Sequence, residues 1–454
     1  MQTTLHRLET DCLVIGGGPS GYGAALAAQR MGCQTVLAER NGYLGGMGTA
    51  AGLSCYLNHK HESQDLSGAV YREFVSLQHE RGMHYYDAQA QADFFEPESC
   101  KRTMEQLLIR AGCNLLYHSL LAEVSREDGD WVATFVSKGA STRVRCKVMI
   151  DTSGDGDACA MAGAEMTHGR RSDGLTQPMS MVVQLGGFDP QAWKQAGHRL
   201  VEGKYATEGD AFSESVLIAR EAGNWSIPRT DIALFWAMPG DPTRITINGT
   251  RINGLSACNP IETTQAEIEG RRQAEELLHF FRAHVPGFSK SYLLQTGPQI
   301  GVRESRRIVG RAVLDEVGVR EGVIPESSVT LCAYPIDVHN PVDSSTQFER
   351  CSRKGVYGIP WEALLPNGLD GLIAAGRCIS ATHEAAGSFR VMPTCMTLGE
   401  AAGTATALAK KKGVLPAEIT GRLIRAEMDK QLIAMGAPAL SKHFSFSSLL
   451  PLSN

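Results

Sequence analysis

The stretch Cys12-Leu13-Val14-Ile15-Gly16-Gly17-Gly18-Pro19-Ser20-Gly21 joins an apolar run to a glycine-rich turn. The run suits a strand buried on both faces. Tyr22 to Met31 is rich in Ala and reads as a helix, closed by Gly32 as its C-terminal cap. A second strand, Thr35-Val36-Leu37-Ala38, ends at Glu39. This is a βαβ unit with a dinucleotide fingerprint. Gly16 permits the tight turn, Gly18 lets the backbone approach a pyrophosphate, and Gly21 allows close helix–strand packing. Pro19 and Ser20 fall at the helix start, where amides and the helix dipole attract an anion. Glu39 stands 18 residues after Gly21, where a carboxylate can accept from both ribose hydroxyls. The alternative is a glycine turn of purely structural use, which would not need the strand before, the helix after and the acid at this distance.

Outward from that unit, composition sets limits. The 454 residues include 48 Gly, well above the usual share of about 7%. Apolar residues make up 43% and charged ones 20%, so the chain can offset its ordering entropy and is not a disordered protein. The length suggests two or three domains. A net charge of −5 argues against nucleic acid as a partner. The 12 cysteines come no closer together than 13 residues. That spacing excludes a CxxC dithiol, a zinc ribbon and a ferredoxin-type cluster, so no metal is expected. Free thiols and a polar Met1–Thr10 segment without an apolar signal region point to the cytoplasm. No run of about 18 apolar residues suggests a membrane span.

Further along, Phe95-Glu96-Pro97-Glu98 opens a helix through Arg110. Strands follow from Asn114, at 131–136, at 142–147 and at 147–151. The turn Asp151-Thr152-Ser153-Gly154-Asp155-Gly156 imitates the opening of a calcium loop. Its twelfth position is Ala162 rather than Glu, and a strand precedes it, so calcium is not expected. From about 178 to 350 the composition shifts to more Trp, longer polar loops and alternating strands such as 244–247, with a long helix over about 263–284. No second dinucleotide fingerprint occurs there. Arg303, Arg306 and Arg307 place three guanidiniums in five residues, either as an anion clamp or as a salt-bridged helix start or partner-facing surface. His339 is a candidate acid/base, against the reading of a structural histidine. His59 and His61 read as a solvent loop rather than as flavin contacts.

Two stretches decide which dinucleotide. After Glu39 the chain continues Arg40-Asn41-Gly42-Tyr43-Leu44-Gly45-Gly46-Met47, which resembles FAD-dependent oxidoreductases whose fingerprint runs on past the acid into a paired glycine. Near the other end, Gly371 to His383 gives a buried strand and a glycine turn, and Gly387-Ser388-Phe389-Arg390-Val391-Met392-Pro393 leads into a helix of small residues. Together with the 301–307, 334–341 and 151–165 blocks, this resembles the broad FAD-dependent oxidoreductase family of the glutathione-reductase superfold, over most of residues 11–410.

The resemblance implies FAD as cofactor. It places Gly154 and Asp155 in a turn that closes over the FAD, Gly376 and Arg377 along its ribityl and pyrophosphate, and the Thr394-Cys395-Met396 helix start facing the isoalloxazine. Many members carry Gly-Asp where this chain has Gly376-Arg377. The fold class expected is α/β: a Rossmann-like FAD-binding domain of glutathione-reductase type with an inserted α+β substrate domain. The divisions are 1–175 for the first FAD segment, 176–352 for the substrate domain and 353–454 for the return and C-terminal helices. The function implied is hydride transfer between a small-molecule substrate and flavin N5, with an external electron acceptor or donor and a possible homo-oligomer. His383 and His339 are the proton carriers expected, with Arg303, Arg306 and Arg390 holding an anionic or carbonyl group. An electron-transfer subunit, a flavin monooxygenase and a non-catalytic sensing module are the alternatives.

Overall fold

The computed structural model describes residues 4–62, 64–88, 90–198, 212–229, 232, 234–350 and 355–443. The apolar run at 12–15 closes a longer strand, β1 (Thr4–Ile15). Helix α1 (Pro19–Arg30) starts earlier than Tyr22 because Pro19, with no amide hydrogen to leave unpaired, suits the first turn. There follow β2 (Thr35–Ala38), α2 (Ala69–Glu80), α3 (Pro97–Ala111) and β3 (Asn114–Leu116). Glu96 caps α3, its side chain accepting from the Ser99 amide at 2.6 Å.

A meander of β4 (Leu120–Glu127), β5 (Asp130–Ser137) and β6 (Ala140–Asp151) comes next. The strands expected at 142–147 and 147–151 are therefore one. β1 runs parallel to β6 from end to end and β5 pairs with its first half, so nothing frees a residue to break the ladder. The polar segment Thr4–Thr10 is extended for the same reason, since β6 offers it a partner.

The main sheet has the order β3-β2-β1-β6-β5-β4. Its β3, β2, β1 and β6 are mutually parallel. The chain leaves β1 toward β2 on one side and resumes at β6 on the other. This reversal opens a crevice beyond the carboxyl ends of β1 and β6, the position where open α/β sheets bind ligands.

The middle of the chain builds a second sheet from β7 (Val183–Gly186), β8 (Leu234–Met238), β9 (Asp241–Asn248) and, after the long helix α4 (Pro260–His284), β10 (Tyr292–Thr296). Its order is β8-β9-β7-β10, all antiparallel. Ile245 and Ile247 meet Leu277 and Phe281 of α4 in a core with Val183, Leu185 and Trp193. A hairpin of β11 (Ile336–His339) and β12 (Thr346–Glu349) follows. The boundary at 352/353 and Cys351 lie outside the described residues.

The return adds β13 (Leu372–Ala374) in parallel to the end of β6. Then come α5 (His383–Phe389), α6 (Met392–Lys412) and α7 (Gly421–Ala434). α6 is buried from Met392 to Ala409, and its small residues bring it onto another helix, α1. A Cβ at Gly399 would lie 1.8 Å from the Ser20 carbonyl oxygen, so only glycine permits this approach. α7, one of the expected C-terminal helices, sends Ile424 and Met428 into the same core. Among the described residues no helix is long and apolar enough to cross a membrane.

Candidate active site

A cavity of about 1040 Å³ lies at the crevice, lined at the strand ends by Ile15, Gly16, Ala38, Glu39, Thr152 and Ala375. Gly16 has φ +99°, and a Cβ there would meet the Thr152 carbonyl oxygen at 2.6 Å. Glu39 is buried and holds the turn in shape: Oε2 accepts from the Gly17 amide at 2.6 Å and Oε1 from the Asn41 amide at 2.8 Å. Two helix starts open on this cavity. Gly18, Pro19 and Ser20 line it at α1, and Val391, Met392 and Cys395 line it at α6. Neither helix carries a side-chain cap, so their first amides and dipoles favour negative charge there. Ser20 Oγ donates to the Cys395 carbonyl at 2.7 Å and ties the two starts together.

Gly154, Asp155, Gly376 and Arg377 form a third part of the lining. Arg377 donates to Asp155 Oδ1 at 2.5 Å, and Ser305 Oγ donates to the same atom at 2.7 Å. Burial works against the Asp155 charge, yet Arg377 and these bonds hold its carboxyl below the usual range. Arg377 Nε is buried with no hydrogen-bond partner among the described residues. A phosphate or sugar oxygen would satisfy it, so the residues present fit an elongated anionic dinucleotide.

Arg40, Gly46 and Met47 also line the cavity. Gly21 and Gly45 stand behind it: a Cβ at Gly21 would press on the Gly16 carbonyl, and the Gly45 amide donates to the Gly17 carbonyl at 2.9 Å. Of Thr394, Cys395 and Met396, only Cys395 lines the cavity. Thr394 turns to Cys332, and Met396 is buried in the core. Burial pushes the Cys395 thiol up to about 12, so it is not a thiolate at neutral pH.

A different set of residues faces the same space. His339 at the end of β11, Arg303, Arg390, Asp337, Tyr334 and Arg229 all line it. The Arg390 guanidinium donates to the Asp337 carbonyl at 2.8 Å and lies 3.7 Å from its carboxylate. Among the described residues Arg303 donates only to neutral groups, the Pro178 carbonyl and Ser180 Oγ, each at 2.7 Å. Burial first, then Arg390 and Arg229, push Arg303 down to about 9. Thr346 Oγ1 is 3.2 Å from His339 Nδ1, while Nε2 lies 3.6 Å from Asp337 Oδ1. Burial and then the guanidiniums of Arg303, Arg229, Arg390 and Arg251 hold His339 well below its usual pKa, which keeps the ring neutral at pH 7.

The remaining sequence candidates stand elsewhere. His383 begins α5, buried behind the lining, with Nδ1 2.9 Å from Glu304 Oε1. Glu304 also pairs with buried Arg307. Arg306 donates to the Asp155 carbonyl at 3.1 Å and pairs with Asp157, so it braces the 155–157 turn. The 303–307 block is a loop entering a short strand, Arg306–Ile308, rather than a helix start, and it sends its three arginines to three different places. His59 is also not in a solvent loop. It is buried, 3.3 Å from Asp93 and ring to ring with Tyr71, while neighbouring Lys60 and His61 line the cavity.

Sequence reading passed over Asp337 and Tyr334 as site residues, although both lie in the block quoted for His339. Arg229 carried no signal at all, since it reaches the cavity from a loop far away in the chain.

The family model for FAD dependent oxidoreductases matches residues 11–428. The chain belongs to that family. It is an enzyme, an FAD-dependent oxidoreductase, and FAD is its cofactor. No curated protein matches this oxidoreductase. Among solved structures it is similar to a geranylgeranyl bacteriochlorophyll reductase-like protein from Thermoplasma acidophilum, 16% identical, covering 94% of this chain and 83% of that one with TM-score 0.47. It is also similar to p-nitrophenol 4-monooxygenase PnpA from Pseudomonas putida DLL-E4, 11% identical, covering 96% and 87% with TM-score 0.49. A third is the flavin-dependent brominase Bmp2, 12% identical, covering 93% and 83% with TM-score 0.42.

Proposed function

We propose that this oxidoreductase is a dehydrogenase, transferring hydride between a small organic substrate and flavin N5 on a fold of glutathione-reductase type. In this reading residues 176–352 form the substrate domain and an external partner exchanges electrons with the enzyme. The observation that carries it is neutral His339, beside Arg303 and Arg390, on the same cavity as the two uncapped helix starts. FAD, when bound, supplies a two-electron acceptor. Glu39 would hold its ribose, the α1 start its pyrophosphate, and Arg377 a phosphate or sugar oxygen.

His339, kept neutral, is suited to take a proton from a substrate hydroxyl at Nε2, while Thr346 steadies the ring at Nδ1. Arg303 and Arg390 would fix an anionic or carbonyl group. His383, held by Glu304 and away from the lining, is assigned to positioning the 304–307 loop rather than to proton transfer.

The purified protein should be yellow and should bleach anaerobically with one class of donor. Replacing His339 with Gln should lower that bleaching rate by about 10²- to 10⁴-fold with FAD content unchanged. Full-rate bleaching by the His339→Gln variant would remove the histidine from the mechanism. Oxygen incorporation without anaerobic bleaching would favour a monooxygenase instead.

A further inference from the structure

The charges around His339 restrict what can be oxidised there, and this inference rests on the dehydrogenase reading above. Among the described residues Arg303 donates only to a carbonyl and a hydroxyl, so no carboxylate pairs with it directly and Asp337 acts on it only from a distance. Arg390 shares Asp337 with Tyr334, whose hydroxyl donates to that carboxylate at 2.9 Å. Three guanidiniums, of Arg303, Arg390 and Arg229, therefore line the cavity beside Asp337, where charge is less screened than in bulk water. An amine, cationic at neutral pH, would add a further positive charge. A carboxylate would supply the missing negative one and accept the Arg303 fork.

We infer that the substrate is a hydroxycarboxylate whose carboxylate seats on Arg303 and whose hydroxyl faces His339. The reaction balances without a further reagent. The C–H bond breaks with its electron pair, passing as hydride to the flavin. The O–H proton goes to His339 Nε2, and the C–O bond becomes C=O. Asp337 acts as a positioning residue: its contact with Arg390 holds the 337–339 strand against the start of α6 and aims the Arg390 guanidinium. The low proton affinity of Arg303 fits this assignment, since a bound carboxylate would restore it.

The test uses the FAD-loaded full chain and 2-hydroxy-2-methylpropanoate, which has no C–H to surrender at the hydroxyl carbon, with its neutral amide as control. Binding is read from the shift in the bound flavin's visible spectrum. The acid should bind about ten- to hundredfold more tightly than the amide. Arg303→Gln should erase that preference with FAD content and melting temperature kept, and Arg303→Lys should restore part of it. Equal binding of acid and amide, tighter binding of the matching amine, or no binding of the acid overturns the inference. So does loss of FAD from Arg303→Gln, which would assign Arg303 to the cofactor. In the donor screen, bleaching by neutral alcohols or amines but by no hydroxy acid would sink this inference and leave hydride transfer standing. No bleaching by any donor would bring down the dehydrogenase reading itself.

Discussion

Glu39 performs two tasks with one carboxylate. Its oxygens accept from the Gly17 and Asn41 amides, fixing the turn on either side of β2, and the same side chain borders the cavity where a ribose would lie. Each bond to a charged acceptor is worth about 1.5–3 kcal/mol. Glu39→Ala should therefore lower FAD affinity by at least about tenfold, read as flavin content on purification and by titrating FAD into the stripped protein. Glu39→Gln, with one acceptor oxygen, should fall between. Retention of full affinity by Glu39→Ala would remove the carboxylate from the cofactor site. This residue was legible in sequence because its distance from the glycine turn is set by the length of one helix and one strand.

At the level of elements, α6 carries a charge into the core. Glu400 is fully buried, and its oxygens accept from the Ala69 and Val70 amides at 3.2 and 3.1 Å, at the uncapped start of α2. Burial raises it to about 7, although those amides favour the charged form. In the unfolded chain the group titrates near an ordinary value of about 4.3. The folded state thus binds this proton more tightly, and the sign follows: the stability is present below about pH 4.3 and is lost as pH rises through 7. A shift of this size is worth on the order of 3 kcal/mol. Melting temperature measured from about pH 5 to pH 8 should fall less steeply in Glu400→Gln than in the parent. Identical slopes would show that Glu400 does not titrate in the folded protein.

Other elements show why sequence reading stopped where it did. The helices opening at Phe95-Glu96-Pro97-Glu98 and running over about 263–284 were legible from apolar spacing, whereas the start of the second at Pro260 shows only in the structure. The division of β6 into two strands was an error of context, because only β1 and β5 together show that the ladder is continuous.

Across the whole molecule, the cavity proposed to hold the cofactor is lined by segments far apart in the chain: the turn at 16–20, the turn at 154–155, the β13 exit at 376–377 and the α6 start. A ligand that touches all of them stabilises the folded state by mass action, about 2.7 kcal/mol at a hundredfold excess over its dissociation constant. Removing FAD should lower the melting temperature, and adding it back should raise it with concentration toward saturation. A melting temperature indifferent to FAD would mean that these segments hold their places unaided.

The glycine turn, its following helix and the acid at Glu39 could be read without coordinates because their chemistry is local: spacing along the chain equals spacing in space over one βαβ unit. The same was true of the small-residue helix, though not of its partner, since α1 lies hundreds of residues away and only packing shows that Gly399 meets Ser20. Which arginine reaches the cavity could not be read in this way. Arg303, Arg306 and Arg307 are neighbours of one type, and long-range contacts send them to the cavity, to Asp157 and to the Ala381 and Gly169 carbonyls. His339 and His383 were equal candidates in sequence. Folding leaves one on the cavity wall and buries the other against a carboxylate, because burial and charge are properties of what surrounds a side chain, not of its place in the chain.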